Sequence, residues 1–257
     1  TGKLWFYNNR GRLTQEVTLF PQAEYDLERS QHLALSADGS ALTVAASNRS
    51  SVPGSENAAT VQEAQVFLFR ANGERLWRSI LPENRTALTA LSTDGKFTAV
   101  GCYNSDDPAN IKKRTLLFDG AGQRIGEAKI LFIMAAFSPD SKYLILADNH
   151  AVEMLELASG QTLWTQNLNR QHGRLTAVAL SNAADFAIAL IAKSHFKANT
   201  FVFSEPRLRV YSRTGTMVQE ISFAGEEFAT SALTLSDDAR ALAIGFKNSY
   251  YLFEAHR

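Results

Sequence analysis

The sequence predicts an all-β fold, a β-propeller of four-stranded antiparallel blades, and three observations carry that reading. A short phrase returns five times: His-Leu-Ala-Leu-Ser-Ala-Asp-Gly at 32–39, Thr-Ala-Leu-Ser-Thr-Asp-Gly at 89–95, Ala-Ala-Phe-Ser-Pro-Asp-Ser at 135–141, Ala-Val-Ala-Leu-Ser-Asn-Ala at 177–183 and Ala-Leu-Thr-Leu-Ser-Asp-Asp at 232–238. Counted between Ser36, Ser92, Ser138, Ser181 and Ser236, the spacings are about 56, 46, 43 and 55 residues, which brackets the period of a four-stranded blade. Each phrase leads into a short apolar run, and the first four runs are each followed by a hairpin with glycine near its tip. No stretch sustains an apolar period of 3.6, so helix is expected to be nearly absent.

The first hairpin of each unit, a–b, joins the phrase to Ala41–Ala46, Phe97–Gly101, Tyr143–Ala147, Phe186–Leu190 or Ala241–Gly245. These runs mix small and β-branched residues, as strands covered on both faces require. The Asp-Gly and Asn-Ala pairs between the two strands supply positive φ or a side-chain cap for a tight turn. The second hairpin, c–d, is read at Val66–Phe69 with Gly73, Thr115–Phe118 with Gly122, Val152–Leu155 with Gly160 and Leu208–Tyr211 with Gly215. The run after each glycine alternates, as in Thr162-Leu163-Trp164-Thr165, which fits an outer strand with one wet face.

The ends depart from the pattern. Leu4–Tyr7, a turn at Arg10-Gly11 and Leu13–Leu19 read as a c–d hairpin with no a–b before it, and Ser231–Glu254 as a, b and c with no d. Six c-like strands against five a–b hairpins leave five or six blades; six positions are favoured, the first incomplete or completed by the other end of the chain. The repeats run nearly end to end, so residues 1–257 are read as one domain.

Three phrases carry a family resemblance. Ala71-Asn-Gly-Glu-Arg-Leu-Trp77 and Ala158-Ser-Gly-Gln-Thr-Leu-Trp164 are similar to the quinoprotein-type (pyrroloquinoline-quinone-like) propeller repeat, in which a docking Trp follows the turn glycine by four residues. Phe137-Ser-Pro-Asp-Ser-Lys-Tyr-Leu144 resembles the matching phrase of WD40-like propellers. The resemblance implies the fold and not the function. The other repeats place Gln15, Gly126 and Gln219 where Trp would stand, no Trp-Asp dipeptide occurs, and the vicinal cysteine pair typical of quinoprotein dehydrogenases is missing, so no cofactor is expected.

Composition narrows the function classes. Lys plus Arg and Asp plus Glu balance at 26 each, which argues against nucleic acid or an anionic membrane as partner. There is no apolar run of 18 residues, so no membrane insertion of this segment is expected, and the start at Thr1 reads as an excised or processed piece. A periplasmic or otherwise extracytoplasmic setting is slightly favoured, and the oligomeric state is left open. Cys102, the single cysteine, reads as a small buried thiol. Trp77 and Trp164 read as packing anchors, and Asp38, Asp94, Asp140 and Asp237 as turn caps rather than calcium ligands. His32, His150, His172, His195 and His256 show no metal-ligand spacing.

Function is expected where the repeats are interrupted. In a four-stranded meander the a–b and c–d turns emerge on one face and the b–c and d–a connections on the other. The insertions fall in the second set, read as long loops at Asn48–Gln65, Tyr103–Arg114, Lys193–Arg207 and Phe20–Gln31. Arg49, Asp106, Asp107, Lys112, His195, Lys197 and Phe201 are the candidate contacts for a protein or peptide partner, with Tyr25, Glu28, Phe196 and Phe203 beside them. This gives a noncatalytic binding or sensory/scaffolding module, expected as a domain of a larger bacterial protein. The alternative is an enzyme or small-molecule receptor at the mouth of the central channel, with Arg85, Arg170, His172 and Glu226 on the d–a connections.

Overall fold

The computed structural model describes residues 2–20, 26–51, 60–104, 111–168, 173–197, 199–223, 227–236, 238–246 and 249–254, without the side chains of 26–30, 49–51 and 60–62. Strands dominate, and among the described residues the one helical piece is a 3-10 turn at Asn182–Ala184. The strands form six antiparallel sheets in chain order. The chain divides into two compact units, Thr1–Leu131 and Phe132–Arg257.

The first unit holds three sheets. β1 (Lys3–Tyr7) and β2 (Leu13–Thr18) make a two-stranded sheet; β3 (Asp26–Leu35), β4 (Ala41–Ser51), β5 (Thr60–Arg70) and β6 (Arg75–Ile80) make a four-stranded one. β7 (Arg85–Leu91), β8 (Thr98–Tyr103), β9 (Lys113–Phe118) and β10 (Arg124–Ala128) complete the unit. In the second unit come β11 (Met134–Phe137), β12 (Tyr143–Ala147), β13 (Ala151–Glu156) and β14 (Gln161–Asn167), then β15 (Arg174–Leu180), β16 (Phe186–Lys197), β17 (Thr200–Ser212) and β18 (Met217–Ser222). A three-stranded sheet follows, β19 (Ser231–Leu235), β20 (Ala241–Phe246) and β21 (Ser249–Glu254). The c–d start, the four full meanders and the a–b–c end are those expected from the repeats.

Two-sided burial explains the composition of the b strands. In β4, Val44 and Ala46 pack toward Leu4 and Phe6 of the preceding sheet, while Ala45 packs with Val100 and Cys102 of the following one. In β16, Ala187, Ala189 and Ile191 join Ile145 and Ala147, and Ile188 and Leu190 join Leu242 and Ile244. A polar residue at any of these places would face an apolar layer, whichever way it pointed.

The repeated serine is the hub of the a–b turn. Its hydroxyl donates to the carboxylate two residues on, in Ser36–Asp38 (2.7 Å), Ser92–Asp94 (2.8 Å), Ser138–Asp140 (2.6 Å) and Ser236–Asp238 (2.8 Å). The same oxygen accepts the amide five residues on, from Ala41, Phe97, Tyr143 and Ala241. In the last repeat the cap is Asp238, two residues after its serine as in the others; Asp237, expected in that role, lies outside the described residues. The amide of Ser40 and the Ser36 hydroxyl hold the Asp38 carboxyl down to about 2. The fourth repeat has no such Asp, and its turn tightens into the 3-10 piece, with Ala183 and Ala184 both at positive φ.

The sheets dock through the turn glycine. A Cβ on Gly122 would lie 2.8 Å from the Trp77 ring, one on Gly215 2.6 Å from the Trp164 ring, and one on Gly73 2.5 Å from Gln15. The residue four after one turn glycine thus covers the turn glycine of the next sheet, and only a residue without a side chain leaves room at φ of +78° to +90°. Trp77 also packs on Phe118 and Trp164 on Tyr211, each at 5.7 Å between ring centroids. Both tryptophans are packing anchors, as expected, with Trp164 buried and Trp77 half-buried.

Candidate interaction site on the β16–β17 ribbon

The insertions expected to be loops are, in two cases, strand. β4 and β5 stay paired out to Ser51 and Thr60, and β16 and β17 from Phe186–Ser212 out to Lys197–Thr200. Backbone groups that run beyond the body of a sheet satisfy each other most simply by continuing the ladder, which turns a long connection into a ribbon. The Tyr103–Arg114 insertion keeps a loop character in its described part, between β8 and β9. There Lys112 is exposed, and its carbonyl accepts from Asn104 N at 3.1 Å. Likewise β3 starts at Asp26, inside the connection expected at Phe20–Gln31.

The β16–β17 ribbon is built with two faces. Alternation puts Phe196 and Phe201, paired across the ladder, on one face and His195 and Lys197 on the other. The two rings meet edge-on at 5.3 Å, and the Arg174 guanidinium lies 4.5 Å from the centroid of Phe201. Phe196 is 64% and Phe201 45% exposed, so this aromatic pair presents itself to solvent. On the polar face the Glu227 carboxylate meets two side chains: His195 Nε2 at 2.8 Å and the Lys197 ammonium Nζ at 2.6 Å. Lys197 first and His195 second hold the Glu227 carboxyl below its ordinary value.

The base of the ribbon is anchored. A register shift between Ile191 and Lys193, with Glu205 at φ 50°, bends it, and Lys193 Nζ reaches Glu205 at 2.7 Å. Phe203 and Phe228 exchange two backbone hydrogen bonds, of 2.8 and 2.9 Å, and their rings stack at 5.7 Å; Phe228 in turn stacks on Phe246 at 5.3 Å. The d–a connection therefore clamps the b–c ribbon, leaving the aromatic tip outside the core.

Of the residues expected to contact a partner, His195, Lys197 and Phe201 come together here. Arg49 sits in the paired part of β4 and Lys112 before β9, both in the other unit; Asp106 and Asp107 lie outside the described residues. Of the channel-mouth set, Arg170, His172 and Glu226 also lie outside them. Arg85 is buried at the start of β7 rather than presented as a free group, because its connection folds inward with Leu81 and Glu83. Beside it the Glu83 carboxylate accepts from Cys102 Sγ at 3.0 Å and from Arg114 Nε at 2.6 Å. Burial, then the Glu83 hydrogen bond, push the Cys102 thiol far up. Among the described residues no group of three His, Cys, Asp or Glu is arranged for a metal ion. Sequence reasoning missed Arg174 and the clamp residue Phe228, and it gave Glu227 no role on the ribbon. Their partners on the ribbon are more than 20 residues away, so no local spacing marks them.

No family model matches the chain, and no curated protein matches it. Among solved structures, the crystal structure of a eukaryotic initiation factor is 13% identical, with a TM-score of 0.57 over 98% of this chain and 60% of that one. This likeness concerns the fold. The fold is an all-β propeller of antiparallel blades. The C-terminal WD40 domain of Sif2 is also similar, at 10% identity and a TM-score of 0.48 over 95% of this chain and 71% of that one. The chain spans about three fifths of the length of the initiation factor. Neither structure speaks for the quinoprotein side of the resemblance. Among the described residues no helix is long and apolar enough to cross a membrane.

Proposed function

We propose that this β-propeller is a noncatalytic binding module that recognises a protein or peptide through the tip of the β16–β17 ribbon. The observation that carries the reading is the Phe196–Phe201 pair, two large apolar rings held in solvent by a ribbon whose base is clamped and whose other face is ion-paired. Exposed aromatics on a preorganised support bury large area at little cost in side-chain entropy, the property of interface hot spots. Arg174, over Phe201, sets a cation at the edge of the apolar pair, and the opposite face of the ribbon carries the Lys197–Glu227 ion pair. We propose equally that residues 1–257 act as one domain, which a single cooperative unfolding transition would support and two separable transitions would refute.

The test is a photo-crosslinking amino acid at position 174, whose side chain lies beside the Phe201 ring, introduced with and without the double change Phe196→Ser and Phe201→Ser. Crosslinked partners that disappear with the double change, while the circular dichroism spectrum stays the same, support the proposal. Partners captured equally by both proteins would move the contact elsewhere, toward the d–a connections of the enzyme or receptor alternative.

A further inference from the structure

We infer that the partner of the β16–β17 tip is an acidic peptide segment, which sets an apolar side chain on the Phe196–Phe201 pair and a neighbouring carboxylate on the Arg174 guanidinium. The inference rests on the ring contact proposed above and adds the chemistry of what binds there. Two properties of Arg174 carry it, its charge and its placement.

First, Arg174 is a cation without an anion. Among the described residues of the second unit, every other Lys and Arg has a carboxylate at 2.6–3.9 Å, as Lys193 and Arg207 have in Glu205 and Lys197 has in Glu227. Arg174 is exposed and lies instead over the Phe201 ring. A ring face attracts the charge but supplies no carboxylate oxygen, so the planar fork of N–H donors is left for one from outside. Glu227, the acid of the ribbon, belongs to the opposite face and is engaged there by Lys197 and His195.

Second, Arg174 is held at both ends. Its backbone pairs with Ala192 in the β15–β16 ladder, and the preceding Gly173, at φ 109°, comes so close to β16 that a Cβ there would strike the Ala192 carbonyl. Its guanidinium lies 4.5 Å from the Phe201 centroid, beside the place where the two rings meet. An arginine restrained in this way loses less side-chain freedom in a new ion pair than a free surface cation does. An extended chain advances about 3.3 Å per residue, so an apolar side chain on the rings and a carboxylate on Arg174 come from residues about one or two apart. The sign of the charge also selects against basic segments, which exposed rings alone would attract.

The probe is a displayed library of random linear peptides selected on the unaltered protein, which should enrich Asp or Glu close to a large apolar residue. For the best binder made as a free peptide, changing that acid to its amide should weaken binding about tenfold to the unaltered protein and hardly at all to Arg174→Gln. Arg174→Lys, which keeps the charge but not the fork, should restore only part of the preference. Both changes are on the surface and should leave the circular dichroism spectrum as it is. An acid preference that persists in Arg174→Gln overturns the inference, and so do binders that ignore the acid or a library that yields no binder. Binding that survives Phe196→Ser with Phe201→Ser refutes the ring contact itself, whereas binding that needs the rings and ignores the acid refutes this inference alone. The crosslinker at position 174 replaces the guanidinium, so covalent capture through the rings is judged independently of the charge.

Discussion

The turn end of the sheets and the β16–β17 ribbon are made of the same antiparallel ladder and could hardly differ more in how they are finished. At the turns one solution is repeated: a serine oxygen at the hub, a carboxylate two residues on, and a glycine under the neighbour's side chain. At the ribbon nothing repeats. Its contacts join residues about 30 apart, as in His195–Glu227 and Lys197–Glu227, and its largest side chains stay exposed. What recurs in every unit serves the scaffold, and what occurs once is free to serve recognition.

The largest effects are expected at the turn end. Trp164→Ala should cost about 3–5 kcal/mol, the range for a large buried aromatic, measured by urea unfolding. Trp77→Ala should cost clearly less, because Trp77 is only half-buried and its buried Nε1 has no hydrogen-bond partner, whereas Trp164 Nε1 donates to Arg213 O at 2.9 Å. Equal losses would show that ring packing alone sets the anchor's strength. Next comes Ser138→Ala. The Ser138 hydroxyl accepts the amides of Tyr143 and Lys142 and donates to Asp140, so its removal should cost about 1–2 kcal/mol; a loss within error would mean that the turn is held by its backbone bonds.

At the ribbon tip the expected stability change is small. Phe196→Ser with Phe201→Ser should shift unfolding by no more than about 0.5 kcal/mol, the usual range for surface substitutions. A larger loss would place the pair in the scaffold and erase the contrast. Smallest of all is an acid effect. The Glu227 carboxyl is held below its ordinary value, so its ties to Lys197 and His195 are complete above the usual carboxylate range of about 4.3 and are lost as pH falls through the lower, folded value. Amide exchange at residues 193–204 should therefore quicken only in that acid window, and Glu227→Gln should remove the step.

The scaffold was legible because its signals are local. Ser36, Asp38 and Gly39 lie within one turn, and the glycine-to-Trp offset is four residues, so spacing alone announces both the turn and the anchor. The insertions were misread as loops because pairing of Asn48 with Glu63, or of Phe196 with Phe201, depends on a ladder begun far below in β4–β5 and β16–β17. The polar residues of the 48–65 stretch look like loop composition until that ladder is present. The clamp of Phe203 on Phe228 was out of reach for another reason. It joins a b–c ribbon to a d–a connection, and a meander read from sequence says which end of the sheet each occupies, not which of them touch.

Cys102 gives this chain a clock of its own. The thiol is fully buried, its proton is held by the Glu83 hydrogen bond, and its ionisation is pushed far up, so a thiol reagent finds no nucleophile until β8 parts from its neighbours. Since no other cysteine competes, the labelling rate of the unmodified protein times the opening of that strand directly, with no engineered probe.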